Sequence, residues 1–541
     1  MTAKIWSSQC TAGNLHPQAT SSPSIRIDED EFWNAFTNIG PMDLFSPEAF
    51  TAGVYLPGFI QPLPVAMNIE TIERLRVNGA LSLPSIRLQS VLLQTFVESV
   101  LPSMPILEWQ TFLNAIHDGC GDQGSISLLL FHAVMFSATA FVDMEHLLEA
   151  GFSSRQEAHE AFFQRTKLLY QANYEADPLV MVQALLLMTY RLDTTDGHDS
   201  HHWIRAAITM ARSIGLFQDL SVTINFQHSP RLWKRIAWSC YMTDSLVALR
   251  LRCRPSIEKG EFMHSILEES DFEINCLAPE NQILSPECSL VRNLKAQRDL
   301  ALVCISNARL CTCISEVLHL QGKNSRIGAS VSPTSPGMSP KDDCTVRTYA
   351  SEMELADWAN SLPPPCQACP AEPHSINEEP AVILHRNILH MVFYTTIAVF
   401  HQSKPFSSSR SCVRLAANQI SRITSELYQR DLHHRIPVIG VTGILVALII
   451  QISEMKAPPS LEREEAIQNF QLCLQVMTGL RELYWEASRA TSWALKVFQN
   501  VTFDSQPDHS NRFRERSSSS DISLTDSLIP EVPLTQVPSM N

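Results

Sequence analysis

Three histidines lie close together in the stretch HDSHH, at His198, His201 and His202. His198 and His202 are four residues apart, the spacing at which two imidazoles on one helix face can bind a metal ion. A helix is predicted to begin inside this stretch, so the two side chains need not share a face, and the Glu of a metalloprotease motif is missing. We therefore interpret the stretch as a polar helix start.

Two cysteines, Cys366 and Cys369, have CxxC spacing in PPPCQACP. A structural zinc site needs a second pair, and Cys311 and Cys313 are predicted on a helix elsewhere. A redox motif would follow a strand and open a helix, whereas prolines flank this pair. We predict a loop.

No stretch matches a phosphate-binding loop, a dinucleotide fingerprint or a nucleophile elbow. We therefore assign no catalytic residue, no cofactor-binding residue, no metal ligand and no cofactor. We predict that the chain is not an enzyme, and an enzyme on an all-α scaffold is kept only as an alternative.

The stretch RLWKRIAWSCYMTDSLVALRLRCRP, residues 231–255, is the most basic segment of interest and could suggest DNA binding. A DNA-reading helix places its cations along one face, but these cations lie at the two ends of an apolar face. We therefore predict an internal helix. The six basic residues are Arg231, Lys234, Arg235, Arg250, Arg252 and Arg254.

One acidic residue, Asp244, lies on the apolar face of this predicted helix. A buried carboxylate without a partner is costly, so it should meet a cation or lie at the edge of the face. We hypothesise an ion pair with Arg205 or Arg212 on the preceding helix.

The preceding helix has clear signals at both ends. Asp199 or Ser200 can cap its first turn, and Gly215 suits the left-handed residue after its last turn, with Leu216 folding back. Further helices are predicted near 125–142, 155–174, 178–191, 201–214 and 231–250. No long segment alternates with period two, which indicates an all-α fold.

The chain divides by composition into five parts. We predict a largely irregular N-terminal segment, a helical domain, a disordered Ser/Pro-rich linker, a C-terminal helical half and a disordered tail. Their ranges are 1–80, 88–320, 322–343, 346–500 and 502–541.

The charge balance argues against a broad nucleic-acid surface. The 541 residues contain 41 Lys and Arg against 56 Asp and Glu, a formal charge of -15, which a phosphate backbone repels. The first ten residues do not resemble a secretory signal, and fourteen scattered cysteines indicate reduced thiols in an intracellular compartment. The uncharged run 436–453 is interpreted as a buried helix, so no membrane partner is predicted.

The order of residues across these two helices resembles the fungal-specific transcription factor domain, the middle homology region of zinc binuclear cluster regulators. The agreement covers roughly 88–320 and continues more weakly to 500; the segment from Gly151 is similar to cutinase and acetamidase regulators. Two positions depart from the family pattern, Ser245 and Cys253. The matching residues are Trp203, Ala207, Ala211, Gly215, Leu216, Arg231, Trp233, Lys234, Arg235, Trp238, Asp244, Arg254 and Pro255.

The resemblance implies a nuclear regulator of a metabolic or specialised biosynthetic pathway. The family's DNA-binding module needs six cysteines, and residues 1–80 contain only Cys10. We therefore expect either an upstream exon or indirect contact with DNA through a DNA-binding partner or the transcriptional machinery. A small-molecule effector and a homodimer are further candidate partners. The alternative is an interaction protein or co-repressor that does not bind DNA.

Overall fold

The computed structural model describes residues 55–191, 199–218, 229–258, 260–286, 288–324, 340–368, 378–402 and 407–503. All of them fall in one unit of the chain, Phe45–Asn541. These residues form sixteen α-helices and no β-strand, apart from an isolated bridge between Ile60 and Ile126. The all-α prediction is confirmed.

The helices fall into two series along the chain. The first comprises α1 (Ile69–Val77), α2 (Ile86–Ser99), α3 (Trp109–Asp118), α4 (Leu128–Thr139), α5 (Met144–Glu149), α6 (Arg155–Gln171), α7 (Pro178–Met188), α8 (Ser200–Ser213), α9 (Pro230–Leu251) and α10 (Leu294–Asn324). The second comprises α11 (Pro340–Asn360), α12 (Pro380–Gln402), α13 (Ser407–Gln429), α14 (Val438–Met455), α15 (Leu461–Gly479) and α16 (Trp485–Phe503).

Local sequence explains where the helices begin and end. The Asp199 carboxylate accepts from the His202 amide at 3.0 Å, which caps α8 as predicted. Gly215 has φ 68°, and the Leu216 amide folds back onto the Ala211 carbonyl at 2.9 Å. Asp177 caps α7 in the same way, with Pro178 at the first helical position.

The apolar helices are apolar all round because neighbours cover them on every side. Every residue of α4 is buried, and α2, α6 and α7 pack around it. The layers continue from α7 to α8, from α8 to α9, and from α9 to α10. The helix α10 then packs against α11 and α12.

Buried apolar side chains form two clusters. We call them the first core, built mainly by α1–α10, and the second core, built by α12–α16. The helix α12 belongs to both, since Val392 and Phe400 enter the first core while Met391 and Ala398 enter the second. It therefore joins the two cores, together with α14, whose Ile439 also enters the first core.

Among the described residues, three helical stretches are long and apolar enough, by length and composition, to cross a membrane. They are Leu294–Gln321, Pro380–Gln402 and Val438–Met455. Between 61% and 78% of the residues in their most apolar windows are buried against other parts of the chain. Packing between helices therefore accounts for their apolar composition.

Most predicted elements occur close to where the sequence places them. All five helices predicted between 125 and 250 are confirmed, with ends within a few residues. The segment predicted as irregular, 1–80, includes α1, while residues 1–54 lie outside the described residues. Residues 325–339 and 504–541, most of the predicted linker and tail, also lie outside them, and the five-part division stays a prediction.

Candidate functional site

Helix α9 carries the basic stretch and lies inside the fold. Fourteen of its 22 residues are buried, including Trp238, whose indole nitrogen donates to the Ser265 carbonyl at 2.9 Å. The Ser245 hydroxyl lies 3.0 Å from that of Ser315 and connects α9 to α10. The prediction of an internal helix is confirmed.

Arg235 is the most deeply buried cation of α9, with 2% of its surface exposed. Its guanidinium donates to three backbone carbonyls, of Pro105 at 2.9 Å, Asp271 at 2.5 Å and Leu107 at 3.0 Å. Burial lowers the pKa of Arg235, and the nearby Glu273 carboxylate opposes this shift. The side chain therefore fixes two loops onto α9 by satisfying their carbonyl groups.

Lys234 fixes one of the same loops by a second interaction. Its ammonium lies 2.7 Å from the Asp271 carboxylate, and both side chains are largely buried. This carboxylate offsets the unfavourable position of a cation in the first turn of a helix. Of the three cations at this end, Arg231 alone is exposed.

Among the cations at the far end of α9, Arg250 has partners inside the fold and Arg252 is half-buried. Arg250 pairs with Glu486 of α16 at 3.0 Å and donates to the Ser200 hydroxyl of α8. Arg252 has φ 55° just after the helix, and burial lowers its pKa to about 10. Arg254 is exposed. No face of α9 presents a row of free cations.

The hypothesis about Asp244 is wrong in its partner. The side chain is 3% exposed, and its carboxylate accepts from the Ile257 amide at 2.8 Å. Arg212 binds Glu261 instead, at 2.7 Å, and Arg205 is exposed. Burial raises the pKa of Asp244, and the hydrogen bond donated by the Ile257 amide opposes that shift. A backbone amide replaces the expected cation because the loop after α9 folds back over the carboxylate.

An apolar pocket adjoins Arg235. It has a cavity volume of about 70 Å³ and is partly open to solvent. Its walls come from the loop before α3, the segment 272–274 and the start of α10. The apolar part of the lining includes Val97, Leu101, Leu107, Phe272, Leu300 and Ala301.

Three polar side chains meet the pocket. Arg235 uses three of its five N–H groups on carbonyls, as described above, which leaves two. Burial raises the pKa of Glu273, and Arg235 opposes that shift. The Gln297 side-chain nitrogen donates to the Leu290 carbonyl, while its oxygen is buried and accepts no hydrogen bond from the described residues. An apolar pocket with a few convergent polar groups is the usual form of a small-molecule site.

The other stretches singled out in the sequence do not converge on this pocket. His201 is half-buried and His202 is exposed near the start of α8, while His198 lies outside the described residues. Cys366 is buried in a short 3-10 turn, where its carbonyl accepts from His390 at 2.8 Å. Cys369 lies outside the described residues. Eleven cysteines within the described residues, Cys366 among them, are free thiols.

Sequence reasoning missed the pocket because its walls come from distant segments. Glu273 and Gln297 are 24 positions apart and stand in no recognisable motif. The signal that could have pointed to them is Arg235 itself, since a buried cation requires acceptors around it.

Comparison with known families assigns a match across most of this architecture. The family model described as "Fungal specific transcription factor domain" matches residues 93–429, from α2 to the end of α13. This range includes α9, the pocket and part of the second core.

Several curated proteins are similar over most of the chain. "Cutinase transcription factor 1 beta" of Fusarium vanettenii is 41% identical over 83% of this chain and 54% of its own length. "Transcription factor cpaR" of Aspergillus oryzae is 29% identical over 84% of this chain and 78% of its own length. A fusaric acid cluster transcription factor of Gibberella moniliformis is 26% identical over 43% of this chain and 34% of its own length. The chain spans about half the length of the cutinase regulator.

Proposed function

Because the chain belongs to the fungal-specific transcription factor domain family, we propose that it regulates transcription of a metabolic or specialised biosynthetic pathway in the nucleus. The family match over residues 93–429 carries this proposal. The names of the relatives point the same way, since they are regulators of cutinase and of a fusaric acid cluster. These names and the family point to a regulator and not to an enzyme.

The geometry of α9 supports regulation through other molecules. Lys234, Arg235 and Arg250 are engaged with partners inside the fold. A helix whose cations are held this way is not available to follow a phosphate backbone. In this proposal the described region acts on the transcriptional machinery or on a DNA-binding partner.

The pocket beside Arg235 supports control by a small-molecule effector. The Arg235 guanidinium and the Glu273 carboxylate carry opposite charges that stabilise each other. An uncharged ligand does not compete with this interaction. The Gln297 side-chain oxygen accepts no hydrogen bond from the described residues, so it can accept one from a donor group of the ligand. The cavity is smaller than the roughly 300–1,000 Å³ of sites for drug-sized ligands. The effector is therefore a small apolar molecule with one hydroxyl, or the hydroxyl-bearing end of a longer one.

A reporter assay tests the regulatory role. The chain is fused to a foreign DNA-binding domain and expressed in a fungal host whose reporter carries the matching site. We expect reporter output to differ from that of the DNA-binding domain alone, and an Arg235→Met fusion to lose the difference. Equal output from a folded, nuclear fusion would instead favour an interaction protein without regulatory activity.

Ligand binding tests the pocket separately. We expect n-butanol at millimolar concentration to raise the melting temperature more than butyrate does. Ala301→Leu fills the pocket and should abolish this difference. Ala301→Ser introduces a side chain of nearly the same size as alanine and should keep the difference. A larger effect of butyrate would mean that Arg235 selects anions, and no effect of either probe would remove the effector site.

A further inference from the structure

A second group of polar side chains lies far from the pocket, in the loop between α13 and α14. Asp431 has φ 56°, and the short 3-10 helix His433–Arg435 follows it directly. The Asp431 carboxylate oxygen lies 3.6 Å from Nδ1 of His433 and 3.9 Å from Nδ1 of His434. One ligand atom from each of these three residues lies within 4.8 Å of the other two.

These separations suit a shared ion better than hydrogen bonds. They exceed the range of an N–H···O bond, which ends near 3.2 Å. Ligands at about 2.0–2.1 Å from one tetrahedral zinc ion are about 3.4 Å apart. Nδ1 of His433 is buried and has no hydrogen-bond partner among the described residues. The nitrogen is thus removed from water, and no donor or acceptor of the described residues lies within hydrogen-bond distance of it.

The two imidazole rings are held by their surroundings. The His433 ring packs against Tyr428 of α13, with centroids 4.9 Å apart. The rings of His433 and His434 are nearly perpendicular, at 84°. Rings fixed in different planes can present their Nδ1 atoms to one point from different directions, as ligands around an ion must.

His434 also has the outer partner that metal-binding histidines commonly have. Its Nε2 lies 3.7 Å from the carboxylate of Asp143, the residue that precedes α5. A carboxylate at the second ring nitrogen fixes the tautomer and orients the ring toward the ion. This nitrogen is buried and has no hydrogen-bond partner among the described residues. The 3.7 Å gap would close by a small movement of either side chain.

We propose that Asp431, His433 and His434 bind one divalent transition-metal ion, with Asp143 as the outer partner of His434. Two imidazoles and one carboxylate suit Zn²⁺ and its neighbours Co²⁺, Ni²⁺ and Cu²⁺, whereas Mg²⁺ and Ca²⁺ prefer oxygen ligands alone. The Asp431 side chain is 88% exposed and provides the entry path. Solvent completes the coordination sphere.

The place of the site in the fold gives the ion a structural role. The next residue, Arg435, pairs with Glu98 of α2 at 2.7 Å, so this loop already contacts the first core. Asp143 also comes from the first core side, between α4 and α5. A metal ion bound here strengthens the attachment of the loop between α13 and α14 to the first core, and it stabilises the folded chain by mass action.

Metal titration tests this site. The full chain is purified without a polyhistidine tag, treated with a chelator and titrated with Zn²⁺ and with Co²⁺. We expect about one equivalent of either ion to bind, a rise in melting temperature, and visible Co²⁺ absorption typical of nitrogen and oxygen ligands. Asp143→Asn should keep the stoichiometry and lower affinity about 10–100-fold.

Variants in the loop locate the ion. His433→Asn and His434→Asn should each abolish binding, and Asp431→Asn, at an exposed position, should weaken it at least 10-fold while the chain stays folded. Cys120→Ser is the matched control, because Asp118, Cys120 and Asp122 form the other group with metal-ligand spacing among the described residues. No binding by the wild type, unchanged binding in folded Asp431→Asn, or loss of binding in Cys120→Ser would each overturn the proposal.

Discussion

The two cores differ in the polar groups that they bury. The first core encloses ionisable side chains, among them Arg235, Asp244, His132 and His159. The helix α12, which belongs to both cores, buries the ionisable side chains His385, Arg386, His390 and His401. The remaining helices of the second core, α13–α16, bury polar side chains that are neutral, with the single exception of Glu454 among the described residues. The neutral ones are Ser409, Ser421, Thr424, Gln451 and Thr491.

This difference follows from what each core must hold. The first core binds long connecting loops, such as residues 252–293 between α9 and α10, and loops carry backbone groups that need partners. Arg235 and Asp244 supply those partners. The second core joins consecutive helices by short connections and packs mainly apolar faces. Stability of the first core should therefore depend on charge and pH, and that of the second on volume.

Replacing Arg235 tests this contrast most strongly. Arg235→Met keeps much of the side-chain volume but leaves three buried carbonyls without donors, so we expect a loss of about 3–5 kcal/mol in the free energy of unfolding. Urea unfolding of the purified chain measures it. A loss below about 1 kcal/mol would show that water replaces the guanidinium.

Acid should destabilise the first core through two buried histidines. Burial lowers the pKa of both His132 and His159 to about 3, and the charges of Arg165 and Arg191 contribute. In the unfolded chain each histidine binds a proton as the pH falls through about 6.5, whereas in the folded chain it does not. Above that pH both states are unprotonated, so these histidines do not lower the free energy of unfolding. As pH falls, stability is lost, by about 2 kcal/mol per histidine at pH 5.

The measurement for this prediction is the free energy of unfolding at pH 7 and pH 5. His132→Leu should reduce the loss between the two pH values by about 2 kcal/mol. Met135→Leu, at another buried position of the same helix, should leave the pH-dependent loss as in the wild type. Equal pH dependence in His132→Leu and the wild type would contradict the assignment.

Two substitutions at Asp244 separate the effect of its charge on stability from the effect of its hydrogen-bond acceptor. Asp244→Ala leaves the Ile257 amide unpaired and should cost about 2 kcal/mol of unfolding free energy. Asp244→Asn keeps an acceptor oxygen and removes a charge that burial disfavours, so we expect a change below about 1 kcal/mol. Thermal unfolding of both variants decides, and equal losses would show that the charge matters more than the hydrogen bond.

In the second core, the addition of a single methyl group should lower the free energy of unfolding. A Cβ at Gly443 of α14 would lie 2.8 Å from the Thr395 hydroxyl, which now donates to the Met391 carbonyl. Gly443→Ala should therefore lower the free energy of unfolding by about 1–2 kcal/mol, with little dependence on pH. Gly479→Ala is the control: it has open space around it and should be neutral or slightly stabilising.

The smallest effect is expected at Arg231, in the same turn as Arg235. Its side chain is exposed, so Arg231→Met should change the unfolding free energy by no more than about 0.5 kcal/mol. Chemical unfolding beside Arg235→Met makes this a matched pair. Comparable losses in both variants would mean that charge at this helix start matters, and not burial.

Local patterns in the amino-acid sequence were sufficient to predict the helical architecture and the family. Apolar periodicity, the Asp199 cap and Gly215 are local signals. Such signals involve residues close together in the chain, so they can be recognised in the sequence alone. The internal position of α9 was also predictable, because cations at both ends of an apolar face do not form one binding surface. The resemblance was readable for the same reason, since it rests on the order of residues along two adjacent helices.

Contacts between distant groups, in contrast, depend on how the helices pack. The partner of Asp244 is a backbone amide. Almost every residue has such a donor, so no pattern of side chains in the sequence identifies which one binds. The pocket joins segments that are more than a hundred residues apart, and the pairing of Asp143 with His434 spans nearly three hundred. Contacts of this kind depend on how helices pack in space, and that packing fixes the loops between them.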